Sequence, residues 1–178
     1  MRRTPTPRTH ETMPDHPTDL PPGGPIPEGR VAGVDYGRRR IGIAVCDTHR
    51  ILSSPLCVRQ TTGDKQADAA FFRTLAADEG VVGFVVGLPV HADGTDSRMS
   101  VEVERFGAWL AAETGLPVVF HDERYSSREA TCLLAGSGLS RGRKKERSDA
   151  IAAQVVLSSW LDAQAHGGGP AKPGALDA

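Results

Sequence analysis

Three acids are placed where they could do chemistry: Asp35, Glu123 and Asp149. In residues 31–47, VAGVDYGRRRIGIAVCD, an apolar run ends in Asp35, turns through Gly37 and three arginines, and enters a second apolar run. A carboxylate at the end of a buried strand needs compensation from turn amides, an ion pair or a metal. Glu123 follows the apolar stretch 116–121, and functional groups of α/β sheets gather beyond the carboxyl ends of strands. The plain alternative is a pairing with Arg124 or Arg128. Asp149 heads a stripe of Ala152, Ala153, Val156 and Trp160, so on a helix it stands above the core-facing side. An acid in a first turn also complements the helix dipole, worth roughly 0.3–1 kcal/mol, and it does so on either face.

Carboxylates from two strand ends and one helix start suit hard divalent cations. Mg²⁺ and Mn²⁺ prefer oxygen ligands and keep several waters, which leaves room for a substrate phosphate. In a two-metal arrangement, with ions ~3.5–4 Å apart, one activates the attacking water and the other stabilises the leaving oxygen of a phosphodiester. Zinc chemistry is not indicated, because His49, His91 and His121 lack ligand spacing. Cys46, Cys57 and Cys132 form no C-x-x-C pair and read as reduced, mostly packed thiols.

The elements that must position these acids follow from periodicity. Residues 31–35 and 41–47 are β-branched runs joined by a hairpin-like turn, and 51–59 is a weaker strand because Pro55 removes a ladder donor. Helical spacing covers 64–79, and VVGFVVGL (81–88) is a strand covered on both faces. After a loop at 89–97, a second helix runs to about Glu113, and a strand follows over 116–121. Ser126 or Ser127 caps a third helix. A glycine-rich basic loop, 136–147, leads into the last helix, which ends near Gln164. An antiparallel meander followed by alternating helix and strand predicts an α/β mixed sheet with helices on its faces.

The 178 residues suit one domain once the ends are discounted. Residues 1–29 hold most of the prolines and no hydrophobic period, and 165–178 form a Gly/Pro tail. Both read as disordered, leaving 30–164 as the folded domain. No apolar run approaches the roughly 18 residues a bilayer needs, so the expected place is the cytoplasm, with no membrane partner. The net charge of −1 decides nothing about partners. Two basic clusters, Arg38–Arg39–Arg40 and Arg141 to Arg147 with Lys144 and Lys145, are by themselves ordinary solvated surface.

Four segments, VDYGRRRIGIAVCD (34–47), VVGLPVHADGT (85–95), HDERYSSREA (121–130) and RSDAIAAQVVLSSWL (147–161), together resemble the YqgF family. These are pre-16S rRNA nucleases related to the RuvC-type Holliday junction resolvases. The resemblance spans about residues 31–163. It implies a ribonuclease H-like fold, with a five-stranded sheet of three antiparallel strands followed by parallel ones. It implies that Asp35, Glu123 and Asp149 are the metal-binding catalytic acids, holding Mg²⁺ or Mn²⁺ for two-metal-ion phosphodiester hydrolysis. Arg38, Arg39, Arg40, Arg124, Lys144 and Lys145 then become the cations that meet a polyanionic backbone. RuvC resolvases carry a further acid one turn after the last aspartate, where this chain has Ala152.

The activity so implied is maturation of the 5′ end of precursor 16S rRNA during ribosome biogenesis, by a monomer or weak homodimer. Two alternatives stand beside it. One is resolution of branched DNA, whose paired cuts need two sites about a dyad. The other is a non-catalytic nucleic-acid-binding factor in ribosome assembly. Tyr36 and Tyr125 are the evident exposed aromatics, so extensive base stacking is not expected.

Overall fold

The computed structural model describes residues 24–89, 98–122 and 141–166, and the side chains of all of these except 141–146. Strands β1 (Arg30–Tyr36), β2 (Arg40–Cys46) and β3 (Ser53–Gln60) come first, followed by helix α1 (Lys65–Glu79), strand β4 (Val81–Leu88), helix α2 (Arg98–Thr114), strand β5 (Val118–Asp122) and helix α3 (Arg141–Ala165). The sheet order is β3-β2-β1-β4-β5. β1–β2 and β2–β3 pair antiparallel, while β1–β4 and β4–β5 pair parallel. This is the mixed five-stranded sheet expected, with β1 at its centre.

Strand alternation sends successive side chains to opposite faces. On one face Ala32, Val34, Ile41, Ile43 and Val45 pack with Phe72 of α1, Phe84 of β4, and Phe106 and Leu110 of α2. On the other, Val31, Ala44, Cys46, Val85 and Val119 pack with Ala153, Val156, Leu157 and Trp160 of α3. Helices therefore cover both faces, and α3 covers its face alone among the described residues.

The α3 face is built from small residues for a steric reason. A Cβ at Gly33 would lie 2.6 Å from Leu157 Cβ and 2.8 Å from the Ala153 carbonyl oxygen. At Gly42 it would lie 1.9 Å from the carbonyl oxygen of Asp149. The helix backbone lies directly on the sheet at these two points, which is what glycine inside a strand permits. Side chains further along fix the helix laterally. Ser53 Oγ and Ser158 Oγ are 2.7 Å apart, Gln154 Nε2 donates to the Ser53 carbonyl at 2.8 Å, and His121 Nε2 lies 2.9 Å from Ser159 Oγ.

Boundaries differ from the sequence-based expectation in four places. β3 begins at Ser53 and not at Ile51, because Asp47 gathers the preceding amides into a turn. β3 is an edge strand with a register shift opposite Ile43 and Ala44, which is where Pro55 can be tolerated. β5 begins at Val118; Pro117 has no N–H and contributes only its carbonyl, to Phe84 N at 2.9 Å. α3 begins at Arg141, so much of the expected basic loop is helix, in keeping with the helix propensity of Arg, Lys and Glu. The end of the proline-rich leader also packs: Ile26 sits against the α3-side core and beneath Gly83, and Arg50 donates to the carbonyls of Gly29 and Pro27. The third helix expected after Ser126 lies outside the described residues.

Candidate active site

Asp35 is the last residue of β1 to point at the α3 face. It pairs across the ladder with Gly42, so the two share that face, and Gly42 is the residue on which the Asp149 backbone rests. Three features converge in consequence: the end of the central strand, a glycine that opens room beside it, and the early part of the covering helix. Residues 35 and 149 are far apart in the chain, and one missing Cβ lets them meet.

The electrostatics of the pair are unfavourable as they stand. Burial, and after it the charge of Asp149, push the Asp35 carboxyl up to about 6. Asp149 Oδ2 lies 2.8 Å from Arg40 Nε, with both side chains about three-quarters buried (28% and 24% exposed). The Arg40 N–H is not aimed at that oxygen, however. Both atoms are buried with no hydrogen-bond partner among the described residues, so the contact is Coulombic and not a directed bond. A buried carboxylate oxygen without a donor, beside a second carboxylate that resists ionisation, is a deficit of positive charge.

A divalent cation fits that deficit. It would accept lone pairs from both acids and relieve their repulsion, and oxygen donors are what Mg²⁺ and Mn²⁺ take. Among the described residues no group of three metal-ligating side chains is assembled. The described pair is Asp35 and Asp149, and the third expected acid, Glu123, lies with Arg124 outside the described residues.

The cations expected to meet nucleic acid are placed differently from one another. Arg38 donates from Nε and Nη2 to the two Glu102 oxygens at 2.8 and 2.7 Å, a bidentate exposed pair. Arg39 is exposed on the β1–β2 turn. Arg40 turns inward to Asp149. Lys144 and Lys145 belong to the first part of α3, before Asp149, and their side chains are outside the described set. Gly33, Gly42 and the inward turn of Arg40 were missed from sequence. The two glycines carried a signal, since an isolated glycine within a β-branched strand marks a close backbone approach.

Comparison with known proteins gives a consistent set. The family model described as "RuvX: Holliday junction resolvase" matches residues 29–163. A protein of Rhodopirellula baltica named "Putative pre-16S rRNA nuclease" is 44% identical over 151 residues, covering 85% of this chain and 86% of its own. One of Anaeromyxobacter dehalogenans with the same name is 41% identical over 140 residues, covering 76% and 98%. Among solved structures, RuvC of Thermus thermophilus superposes with a TM-score of 0.51 at 15% identity, over 80% of this chain and 99% of that one. The same protein in complex with a Holliday junction gives a TM-score of 0.51 at 17% identity. At that identity the likeness is one of fold.

Proposed function

The chain belongs to the RuvX family, the YqgF relatives its four motifs resemble, and from that premise we propose that it is a metal-dependent nuclease that matures the 5′ end of precursor 16S rRNA. The observation that carries this reading is the frustrated pair at the end of β1. Asp35 is raised to about 6 beside Asp149, and Asp149 presents a buried oxygen with no hydrogen-bond donor among the described residues. A structural pair of acids would be satisfied by amides or a well-directed arginine. This pair is suited to share a cation.

In the proposed site Asp35 and Asp149, joined by Glu123, would hold Mg²⁺ or Mn²⁺. Two such ions would supply an activated water and charge stabilisation for the leaving oxygen of a phosphodiester displacement. The chain's own groups do the rest. The Gly42 gap sets the spacing of the two aspartates by letting the α3 backbone touch β2. Arg40 balances part of the Asp149 charge and keeps N–H donors beside the carboxylate, where a phosphate oxygen can take them. Arg39 and the basic start of α3, with Arg124, Lys144 and Lys145, attract and orient the phosphodiester backbone without reading sequence.

The choice of substrate is supported by the name "Putative pre-16S rRNA nuclease" carried by relatives that match over most of their own length. Action on branched DNA is the second reading, favoured by the family description and by the RuvC-like fold. Ala152 stands against it, since it replaces the acid one turn beyond Asp149.

The test is cleavage of two substrates side by side: RNA spanning the mature 5′ end of 16S rRNA, and a four-way DNA junction. Each is offered with Mn²⁺, Mg²⁺ or chelator to the wild type and to Asp35→Asn. RNA cleavage that needs metal and Asp35 is the expected result. Cutting that survives chelator or Asp35→Asn refutes the metal mechanism, and preferential cutting of the junction moves the substrate to DNA. Intact substrates throughout, with RNA still bound, leave a binding factor of ribosome assembly.

A further inference from the structure

We propose that a cavity on the α1–α2 face, around the sheet end from Asp35, receives one nucleotide of a single-stranded substrate, its base on an aromatic wall and its phosphate on a cationic rim. The proposal deepens the nuclease reading and rests on it for the identity of the strand. The cavity is about 370 Å³, within the ~300–1,000 Å³ usual for small-ligand sites.

Its wall is Tyr36, Phe106 and Trp109, a run of rings with centroids 4.6 Å apart for Tyr36–Phe106 and 5.6 Å for Phe106–Trp109. Phe106 is buried, while Tyr36 and Trp109 are only partly so, which leaves ring surface facing the cavity. Arg38, Lys65 and Arg105 form the rim, and all three are exposed. Two acids also line the space. Asp68 is matched at 2.8 Å by Arg59, which does not line it, so three rim cations stand against Glu102 alone. The result is an apolar wall of rings inclined 31° and 38° to their neighbours, under a net positive mouth. That combination suits a ligand planar at one end and anionic at the other, as a nucleotide is.

Placement ties the cavity to the acids. Tyr36 follows Asp35 directly, and strand alternation turns its side chain to the opposite face. A strand held at Asp35 and passing over the exposed turn at Arg39 therefore reaches the cavity next. Trp109 has the spacing of a core residue on α2, so its availability as a stacking surface is visible only in the fold.

The experiment uses the full chain in chelator, so that binding is read apart from cleavage. Trp109 and Trp160 are its two tryptophans, and Trp160→Phe leaves Trp109 as the reporter. Pentauridylate is expected to quench Trp109, with weaker binding by uridine 5′-monophosphate and weaker still by inorganic phosphate. Anisotropy of a labelled pentauridylate on the otherwise wild-type chain gives an affinity that does not depend on the Trp160 change. Lys65→Glu and Arg105→Glu should each lower it about fivefold or more, while Arg73→Glu, on α1 and paired with Glu113 outside the cavity, changes it less than about twofold.

Binding without quenching, or equal losses in Arg73→Glu, overturns the proposal. Equal affinity for phosphate and pentauridylate makes the cavity an anion site and overturns it too. So does equal affinity for the monophosphate, which would mean a free nucleotide and not a strand. Quenching with the expected losses, in a protein that cleaves nothing with Mn²⁺, would sink the nuclease reading and leave this one standing.

Discussion

Asp47 and Asp35 each end a strand of the same antiparallel pair, at opposite ends of the sheet, and their surroundings drive them in opposite directions. Asp47 accepts from the amides of His49, Ile51 and Leu52 at 3.1, 2.8 and 2.6 Å, and those bonds hold its carboxyl below the ordinary range. Asp35 is partly buried beside Asp149 and is pushed up to about 6. One end of the sheet uses its aspartate to close a turn. The other sets its aspartate against a second carboxylate. Position at a strand end is common to both, so position alone says nothing about role; the donors around the carboxylate decide it.

The largest expected break in this symmetry is in activity. Groups that merely orient a metal's ligands cost ~10–100-fold when removed, so Asp35→Asn and Asp149→Asn, the ligands proposed above, should each lower cleavage in Mn²⁺ by about a hundredfold or more. Asp47→Asn should leave the cleavage rate unchanged while lowering the melting temperature. Single-turnover assays on the precursor RNA, with thermal melts of the same samples, read both halves.

Gly42→Ala comes next. Its Cβ would fall 1.9 Å from the Asp149 carbonyl oxygen, so α3 must move; overpacking of this kind costs about 1–3 kcal/mol. Cleavage should fall with stability, because the displaced residue is the one that meets Asp35. A urea titration with the wild-type midpoint would mean that the helix is not anchored there.

The pH dependence of stability in chelator should show two limbs of opposite sign. Asp35 holds its proton more tightly folded than unfolded, so stability falls as pH rises from 3.8 to about 6 and stays lowered above that. Asp47 contributes stability above 3.8 that is lost as pH falls through its lowered folded value. Melts from about pH 3 to 8 should lose the upper limb in Asp35→Asn and the lower limb in Asp47→Asn. Added Mn²⁺ should erase the upper limb in the wild type.

The smallest effect belongs to Arg38→Ala. Its pair with Glu102 is short but solvent-exposed, and exposed pairs contribute little. The melting temperature should stay within error of the wild type. A clear drop would mean that the turn end of the sheet depends on this pair.

Much of this was legible in the residues. The β-branched apolar runs at 31–35 and 41–47 and the unbroken VVGFVVGL run gave the central strands, because burial on both faces demands apolar residues at nearly every position. The apolar stripe under Asp149 placed that acid over the core. What could not be read was which cation goes where. Three consecutive arginines look alike in sequence, yet Arg38 takes Glu102 and Arg40 takes Asp149, because the twist and pleat of the turn send them to different faces. Trp109 reads as core for a related reason: helical spacing shows which side faces the sheet, not how far α1 and α2 leave a gap above it.

By itself the sequence determined the element types, the mixed sheet, the family and the three candidate acids, since each rests on local periodicity or on motifs in fixed order. Tertiary structure alone decided that Asp35 meets Asp149. That meeting depends on cross-strand register, which pairs Asp35 with Gly42, and on a helix backbone lying where a Cβ is missing. Register and interlayer distance are set by the sum of packing across the sheet, and no residue encodes them singly.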